Sequence, residues 1–349
     1  MKTVAILGAS GYVGGELLRL LFFHKELEVV KIFSKNYVGK PVHEAHPHLR
    51  GFYKNLKFED LSLDSILKAD IVFNALPHLV GMHLTAQLHE HGVTIVDLSA
   101  DFRLKKAELY KTWYGIEHPY PDLLEKFVYS LPEINRESIK GKKLLSIPGC
   151  NSTAAILAIA PLFTTDIVKN ELVIADVKVG SSEGGRTPYE GSHHPEREGS
   201  LRPYSPEGHR HQAEVEMVLS ELRKTTVNVS LVPHATSAVR GSLASVHVLA
   251  NKDVSEKDLW IIYARFYRES PFIRIVYSSK IKVPDTKNVV GSNFADISFS
   301  KDKTTNRVTG FAAIDNLVKG AAGQAIQALN IALGLGEDEG LLIPPLKPN

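Results

Sequence analysis

The chain has 349 residues, 44% of them apolar, 23% charged and 8% aromatic, values that exclude disorder, collagen-like repeats and coiled coils. With 41 Lys and Arg against 39 Asp and Glu the net charge is +2, too balanced for a general nucleic-acid binder. Such a length exceeds one ordinary domain, and two are expected. The longest apolar stretches, such as Ala154–Phe163, fall short of the roughly 20 residues of a membrane span. No signal-peptide pattern opens the chain. A single cysteine excludes an intrachain disulfide and fits a reducing compartment. A soluble cytoplasmic protein is expected, without membrane or nucleic-acid partner.

In chain order, short β-branched runs fall at Thr3–Leu7, Glu28–Phe33, Asp70–Asn74, Thr94–Leu98, Phe127–Ser130 and Lys143–Ile147. Helix-period stretches lie between several of them, at Tyr12–Phe23 and Val80–His91. Strands alternating with helices predict a doubly wound parallel sheet with right-handed crossovers. From Leu172 the pattern changes. Runs at Leu172–Val179, Val227–Pro233, Ser242–Ala250, Ile273–Tyr277, Phe294–Phe299 and Arg307–Ala312 often alternate, with amphipathic helices near Ala213–Arg223 and Lys257–Arg268. This half predicts a largely antiparallel α+β domain. A helical pattern at Gly320–Leu333 closes the chain before a Gly- and Pro-rich tail. The segment Gly180–Gly208, rich in Gly, Ser, His and Pro, is long enough to be functional or mobile.

The first strand runs into Gly8-Ala9-Ser10-Gly11-Tyr12-Val13-Gly14-Gly15 and then a helix. Glycines at this spacing let the backbone approach a pyrophosphate, which the helix N-terminus attracts. The plainer reading is a tight turn that needs glycine for packing alone. An NAD site places an acid about 20 residues further on. Here Phe33-Ser34-Lys35-Asn36 carries none, and Ser34 and Lys35 suit a 2′-phosphate. NADP(H) is favoured over NAD.

Cys150, in Pro148-Gly149-Cys150-Asn151-Ser152-Thr153, comes immediately before the apolar helix Ala154–Leu162. A helix N-terminus stabilises a thiolate and offers N–H groups to an oxyanion; the plainer alternative is a small buried hydrophobe. Beside NADP, a nucleophilic cysteine suits thioester formation followed by hydride reduction, which needs an acid/base. In Gly208-His209-Arg210-His211-Gln212-Ala213-Glu214, either His209 or His211 suits that task. Glu214, one helical turn beyond His211, can orient its imidazole, which inclines the choice to His211. A polar helix start with solvated charges is the alternative. His193 and His194, and His43 with His46 and His48, lack partners at zinc spacing, so no metal is expected. Arg186, Arg197 and Arg202 in the long loop are candidates for an anionic partner or substrate. The planar fork of Arg240 suits a phosphate or carboxylate.

Together these residues resemble the N-acetyl-γ-glutamyl-phosphate reductase family and, beyond it, the aspartate-semialdehyde dehydrogenase superfamily. The resemblance spans nearly the whole chain. It rests on Gly8–Gly15, Asn74–His78, Asp97–Arg103, Ser130–Glu133, Pro148–Cys150, Gly208–His211, Pro233–His234 and Asp315–Ala325. It implies an α/β fold: a Rossmann-type NADP-binding domain at 1–149, completed by 316–349, and an α+β catalytic and dimerisation domain at 150–315. In such a family Cys150 is the nucleophile and a histidine of the His-Arg-His stretch the acid/base. Gly8, Ser10, Gly11, Tyr12, Val13, Gly14, Ser34, Lys35, Asn36 and Asn316 hold the cofactor. Substrate contacts are expected from Asn151, Arg103, Arg186 and Arg240.

Acetylglutamyl enzymes read Cys-Tyr-Pro-Thr where Asn151-Ser152-Thr153 follow the cysteine here. The loop Ser192–Arg202 instead resembles the branch whose aminoadipyl or glutamyl phosphate is carried by a small acidic amino-group carrier protein. A basic loop would complement that carrier. A homo-oligomer, dimer or tetramer, is also expected. Competing readings are a reductase of the free acetylated substrate, an NADP-binding redox sensor, and a cysteine hydrolase with a vestigial nucleotide fold.

Overall fold

A computed structural model describes residues 1–169, 172–277 and 282–348. The chain divides into two compact units. The first comprises Met1–Tyr110, Glu117–Pro148 and Ala321–Ile343, and the second Lys111–Ile116, Gly149–Gly320 and Pro344–Asn349. The observed partition thus departs from the expected one at four places: 111–116, Gly149, 316–320 and 344–349 all belong with the second unit.

Among the described residues the first unit holds β1 (Lys2–Leu7), β2 (Leu27–Phe33), β3 (Phe58–Glu59), β4 (Ile71–Asn74), β5 (Thr94–Asp97), β6 (Val128–Tyr129) and β7 (Leu144–Ser146). They form one sheet in the order β3-β2-β1-β4-β5-β7-β6, every pairing parallel. Val4–Leu7 and Ile71–Phe73 are buried almost completely, as strands covered on both faces require. Helix Tyr12–Leu21 buries Leu17, Leu18, Leu20 and Leu21, a stripe at helical spacing. Helix Gly323–Leu333, whose side chains are buried from Gly323 to Ala332, packs against helices Pro132–Ile139 and Tyr12–Leu21 of the same unit.

The second unit holds β8 (Val173–Val179), β9 (Leu201–Pro203), β10 (Val229–Thr236), β11 (Ser242–Leu249), β12 (Ile273–Ile275), β13 (Ala295–Lys301) and β14 (Arg307–Ile314). Their order is β12-β13-β14-β11-β8-β10-β9. The sheet is mixed rather than simply antiparallel, because β8 pairs with β10 and β12 with β13 in parallel. The β8-to-β10 connection carries helix His211–Arg223, the kind of crossover a parallel neighbour needs. On β8 and β11 buried and half-exposed residues alternate. One face is therefore core and the other more open. Helix Cys150–Phe163, buried along its whole length after its first residue, packs on the buried face against β11 and β14 and beside helix His211–Arg223. Gly310 permits the close approach, since a Cβ there would stand 2.0 Å from the Ala158 carbonyl oxygen. The long segment after β8 is ordered into three short helical turns and β9.

Candidate active site

In the first unit the chain leaves β1 at Gly8 with φ +72°, and a Cβ there would meet the Ala75 oxygen at 2.4 Å. Both facts demand glycine. Gly14 is equally constrained, its Cβ position lying 2.6 Å from Ala9 Cα. Helix Tyr12–Leu21 then begins at Gly11 with no side-chain cap. Its first-turn amides and positive dipole end suit a phosphate. Ser10 Oγ and Ser34 Oγ share a hydrogen bond of 2.7 Å, which joins this turn to the end of β2. Lys35 and Asn36 follow, both exposed. The order of strands reverses between β1 and β4, and dinucleotides bind at the carboxyl ends of strands flanking such a switch point. The residues present thus fit a dinucleotide with a 2′-phosphate. His46 is a buried support: it lies on Gly15 and its Nε2 hydrogen-bonds the Ala9 carbonyl at 2.8 Å.

In the second unit Gly149 caps helix Cys150–Phe163, so Cys150 is its first helical residue. Glu214, fully buried on helix His211–Arg223, braces this turn. Its Oε2 accepts from the Gly149 amide at 3.0 Å and from Ser152 Oγ at 2.9 Å. Its Oε1 lies 3.9 Å from His211 Nε2. The imidazole of His211 rests on the turn itself, for a Cβ on Gly149 would stand 2.2 Å from Nε2. A Cβ on Gly320 would stand 2.6 Å from Cys150 Cβ. Two glycines thus leave room for the cysteine and its neighbouring histidine.

His209 is held differently. The His211 amide donates to His209 Nδ1 at 3.2 Å, so the ring proton of neutral His209 sits on Nε2. Burial, and then the Arg210 charge, pushes His209 down to about 4. Its ring stands edge-on to His211 with centroids 4.6 Å apart. His209 also lines a cavity of about 420 Å³ with Thr112, Trp113, Ser205, Glu207, Gly208 and Arg210.

Other expected contacts are taken up inside the protein. Arg103, expected at the substrate, is buried, with Nε donating to the Ile147 carbonyl at 2.7 Å and Nη2 to that of Leu98 at 2.9 Å. Asn316, expected at the cofactor, donates from Nδ2 to Ser182 Oγ at 2.9 Å and accepts from the Gly241 amide at 2.8 Å. Arg240 makes a half-buried ion pair with Asp315 at 3.3 Å. In the long loop Arg197 is buried, its Nε donating to the Thr236 carbonyl at 2.6 Å. Glu196 and Glu198 beside it are exposed, so the loop is less basic than its arginines suggest. Arg186, Arg202, His193 and His194 are exposed. Among the described residues no group of three or more His, Cys, Asp and Glu is arranged to hold a metal ion.

Sequence reasoning missed Tyr204 and Glu183. Tyr204 donates to Glu183 Oε2 at 2.7 Å and accepts from Asn151 Nδ2 at 3.4 Å, one residue from the cysteine. Residues scattered through a loop follow no period, and nothing local in the sequence marks them.

Residues 3–142 match the NAD-binding domain of semialdehyde dehydrogenase, and residues 150–316 match its dimerisation domain. The chain belongs to the semialdehyde dehydrogenase family. It is accordingly an oxidoreductase with an NAD(P)-binding first unit. It is 56% identical to the LysW-L-2-aminoadipate/LysW-L-glutamate phosphate reductase of Sulfurisphaera tokodaii over the whole of both chains. The enzyme of the same name from Sulfolobus acidocaldarius is also 56% identical, again over 100% of each chain. That of Saccharolobus solfataricus is 54% identical over 99% and 98%. Solved structures share the fold at low identity. Aspartate semialdehyde dehydrogenase with NADP from Candida albicans matches at TM-score 0.72 and 17% identity, covering 95% of this chain and 98% of that one. Aspartate semialdehyde dehydrogenase II of Vibrio cholerae matches at 0.70 and 15%, with the same coverage. No helix among the described residues is long and apolar enough to cross a membrane.

Proposed function

We propose that this protein is the NADPH-dependent reductase of an aminoadipyl or glutamyl phosphate borne by a small acidic amino-group carrier protein. It yields the semialdehyde and inorganic phosphate, in the cytoplasm, for lysine and arginine synthesis. The observation that carries the reading is Cys150 at the start of a buried helix, with His211 resting on the preceding glycine and Glu214 bracing the turn. Full-length relatives at 56% identity, named for LysW-linked substrates, support the substrate class.

His211 takes the Cys150 proton, and the sulfur attacks the acyl carbon as phosphate leaves, giving a thioester. The amides at the helix start stabilise the oxyanion formed in that step. NADPH, when bound, supplies the hydride that reduces the acyl group on sulfur. His211 then manages the proton on the hemithioacetal oxygen while the C–S bond breaks and the aldehyde leaves. His209, kept neutral with its proton on Nε2, serves as a fixed donor rather than as the acid/base. Ser34 and Lys35 at the end of β2, with no carboxylate beside them, support NADP over NAD. Arg186 and Arg202, both exposed, are cations that an acidic carrier would meet around the Ser192–Arg202 loop. The open face of β8 and β11, with Ile174 and Leu249 exposed, supports assembly into a homo-oligomer.

The reverse reaction tests the substrate class. With NADP and phosphate, NADPH should accumulate when carrier-linked aminoadipate or glutamate semialdehyde is supplied, and not with free N-acetylglutamate semialdehyde. Turnover with the acetylated compound alone would move the enzyme to the free substrate. NADP binding without turnover on either would favour a sensor.

A further inference from the structure

We propose that Glu183 and Tyr204 are positioning residues that fix which end of the Asn151 amide faces the Cys150 sulfur, and so hold the resting cysteine as a thiol. With Ser242, five groups from four segments take part: Cys150 and Asn151 from the cysteine helix, Glu183 from the turn Ser181–Gly184, Tyr204 from just after β9, and Ser242 from β11. Asn151 is fully buried and its side chain is engaged at both ends. Oδ1 accepts from Cys150 Sγ at 3.7 Å and from Ser242 Oγ at 3.4 Å. Nδ2 donates to the Tyr204 oxygen at 3.4 Å, and Tyr204 donates to Glu183 Oε2 at 2.7 Å.

Direction along this chain is imposed from its far end. An ionised carboxylate can only accept, so the Tyr204 hydroxyl gives its proton to Glu183. The tyrosine oxygen is then left to accept. Asn151 must present its NH₂ to that oxygen, which turns its carbonyl toward the sulfur. Ser242, donating to the same carbonyl, reinforces the orientation. A carbonyl facing the sulfur favours S–H over S⁻, because hydrogen bonding to one protonation state stabilises it. Were the amide reversed, its N–H would favour the thiolate.

Burial raises Glu183, and the Tyr204 hydroxyl, Arg197, Asn151 and Arg210 oppose that effect. On the side of helix His211–Arg223, the charged neighbours of the cysteine turn are His211 and Glu214. The catalytic meaning, which rests on the reductase reading, is that the thiolate forms when His211 takes the proton rather than persisting between turnovers. A thiol is less open to oxidation and alkylation than a thiolate.

Cys150 is the sole cysteine, so the rate of its alkylation by iodoacetamide, followed against pH in the full-length protein, reads its titration alone. No substrate is needed, and the result is decided apart from turnover. Tyr204→Phe and Glu183→Gln should each lower the midpoint by about one pH unit, a roughly tenfold faster alkylation below it. Glutamine can donate to Tyr204, which lets the chain reverse. Because both act through one amide, the double variant should shift no further than either single one. Unmoved or raised midpoints would overturn the proposal. So would additive shifts, since Glu183 would then act by charge alone. Should Tyr204→Phe lose its near-ultraviolet circular dichroism, Asn151→Ala replaces it in the cycle: without the amide, Glu183→Gln must lose its effect.

Discussion

Glu214 grips the cysteine turn through a backbone amide and a serine hydroxyl, so the position of Cys150 depends on a residue 64 places away in sequence. Cys150→Ser should lower the rate by about a thousandfold or more, with NADP binding, followed by fluorescence titration, unchanged. The two histidines separate by the same geometry. His211→Asn should cost about a hundredfold or more in kcat, whereas His209→Asn, which keeps a donor, should lose far less. If only His209→Asn abolishes turnover in a folded protein, the roles are reversed. The helix start at Cys150 was legible in the sequence because a Pro-Gly turn and an apolar run mark it. The choice between the histidines was only inclined by Glu214, since two residues of one kind, two apart, carry the same signal. What distinguishes them is a backbone amide lying on one ring.

Elements explain which predictions survive contact with the fold. Thr3–Leu7 and Thr94–Leu98 were legible because strands buried on both faces read as continuous apolar runs, and Glu28–Phe33, only partly buried, by its β-branched residues. The two-residue β3 and the fully exposed β9 bury too little to leave a pattern of their own, whereas β6 lies inside the predicted run Phe127–Ser130. The parallel pairing of β8 with β10 was hidden, because the intervening loop separates the crossover helix from the strand it follows. At the end of β2, Ser34→Asp would set a carboxylate where a 2′-phosphate is expected. KM for NADPH should rise about tenfold or more while that for NADH changes little, and parallel saturation curves decide it. On β14, Gly310→Ala drives a methyl group into the Ala158 carbonyl. It should cost about 1–3 kcal/mol, seen as a lower urea midpoint with activity per folded molecule retained.

At the scale of the whole molecule, buried carboxyls give stability a pH dependence that the net charge of +2 does not suggest. Asp97 is fully buried at the end of β5; burial, and then the charge of Asp101, raises it to about 7. A carboxyl raised in the folded state keeps its proton there after the unfolded chain has lost it. The folded state therefore binds more protons between about 4 and 7, and stability falls as pH rises through that window. Asp97→Asn should flatten the decline, so the difference in melting temperature from the parent should shift in the variant's favour between pH 5 and 8. A constant difference would refute the assignment. Two domains were legible from the change of pattern at Leu172, and the boundary near residue 150 came from resemblance. The return of 321–343 to the first unit came from resemblance, and the allegiance of 111–116 had no signal, being too short to show a period.

That return has a consequence during synthesis. Helix Gly323–Leu333, buried along ten of its residues, leaves the ribosome only after residues 149–320 of the second unit. The first unit is thus completed only after most of the second has been translated. Until then its seat against helices Tyr12–Leu21 and Pro132–Ile139 stands open. A stop codon near residue 320 would spare nearly every residue of the second unit and yet leave the nucleotide-binding unit unfinished.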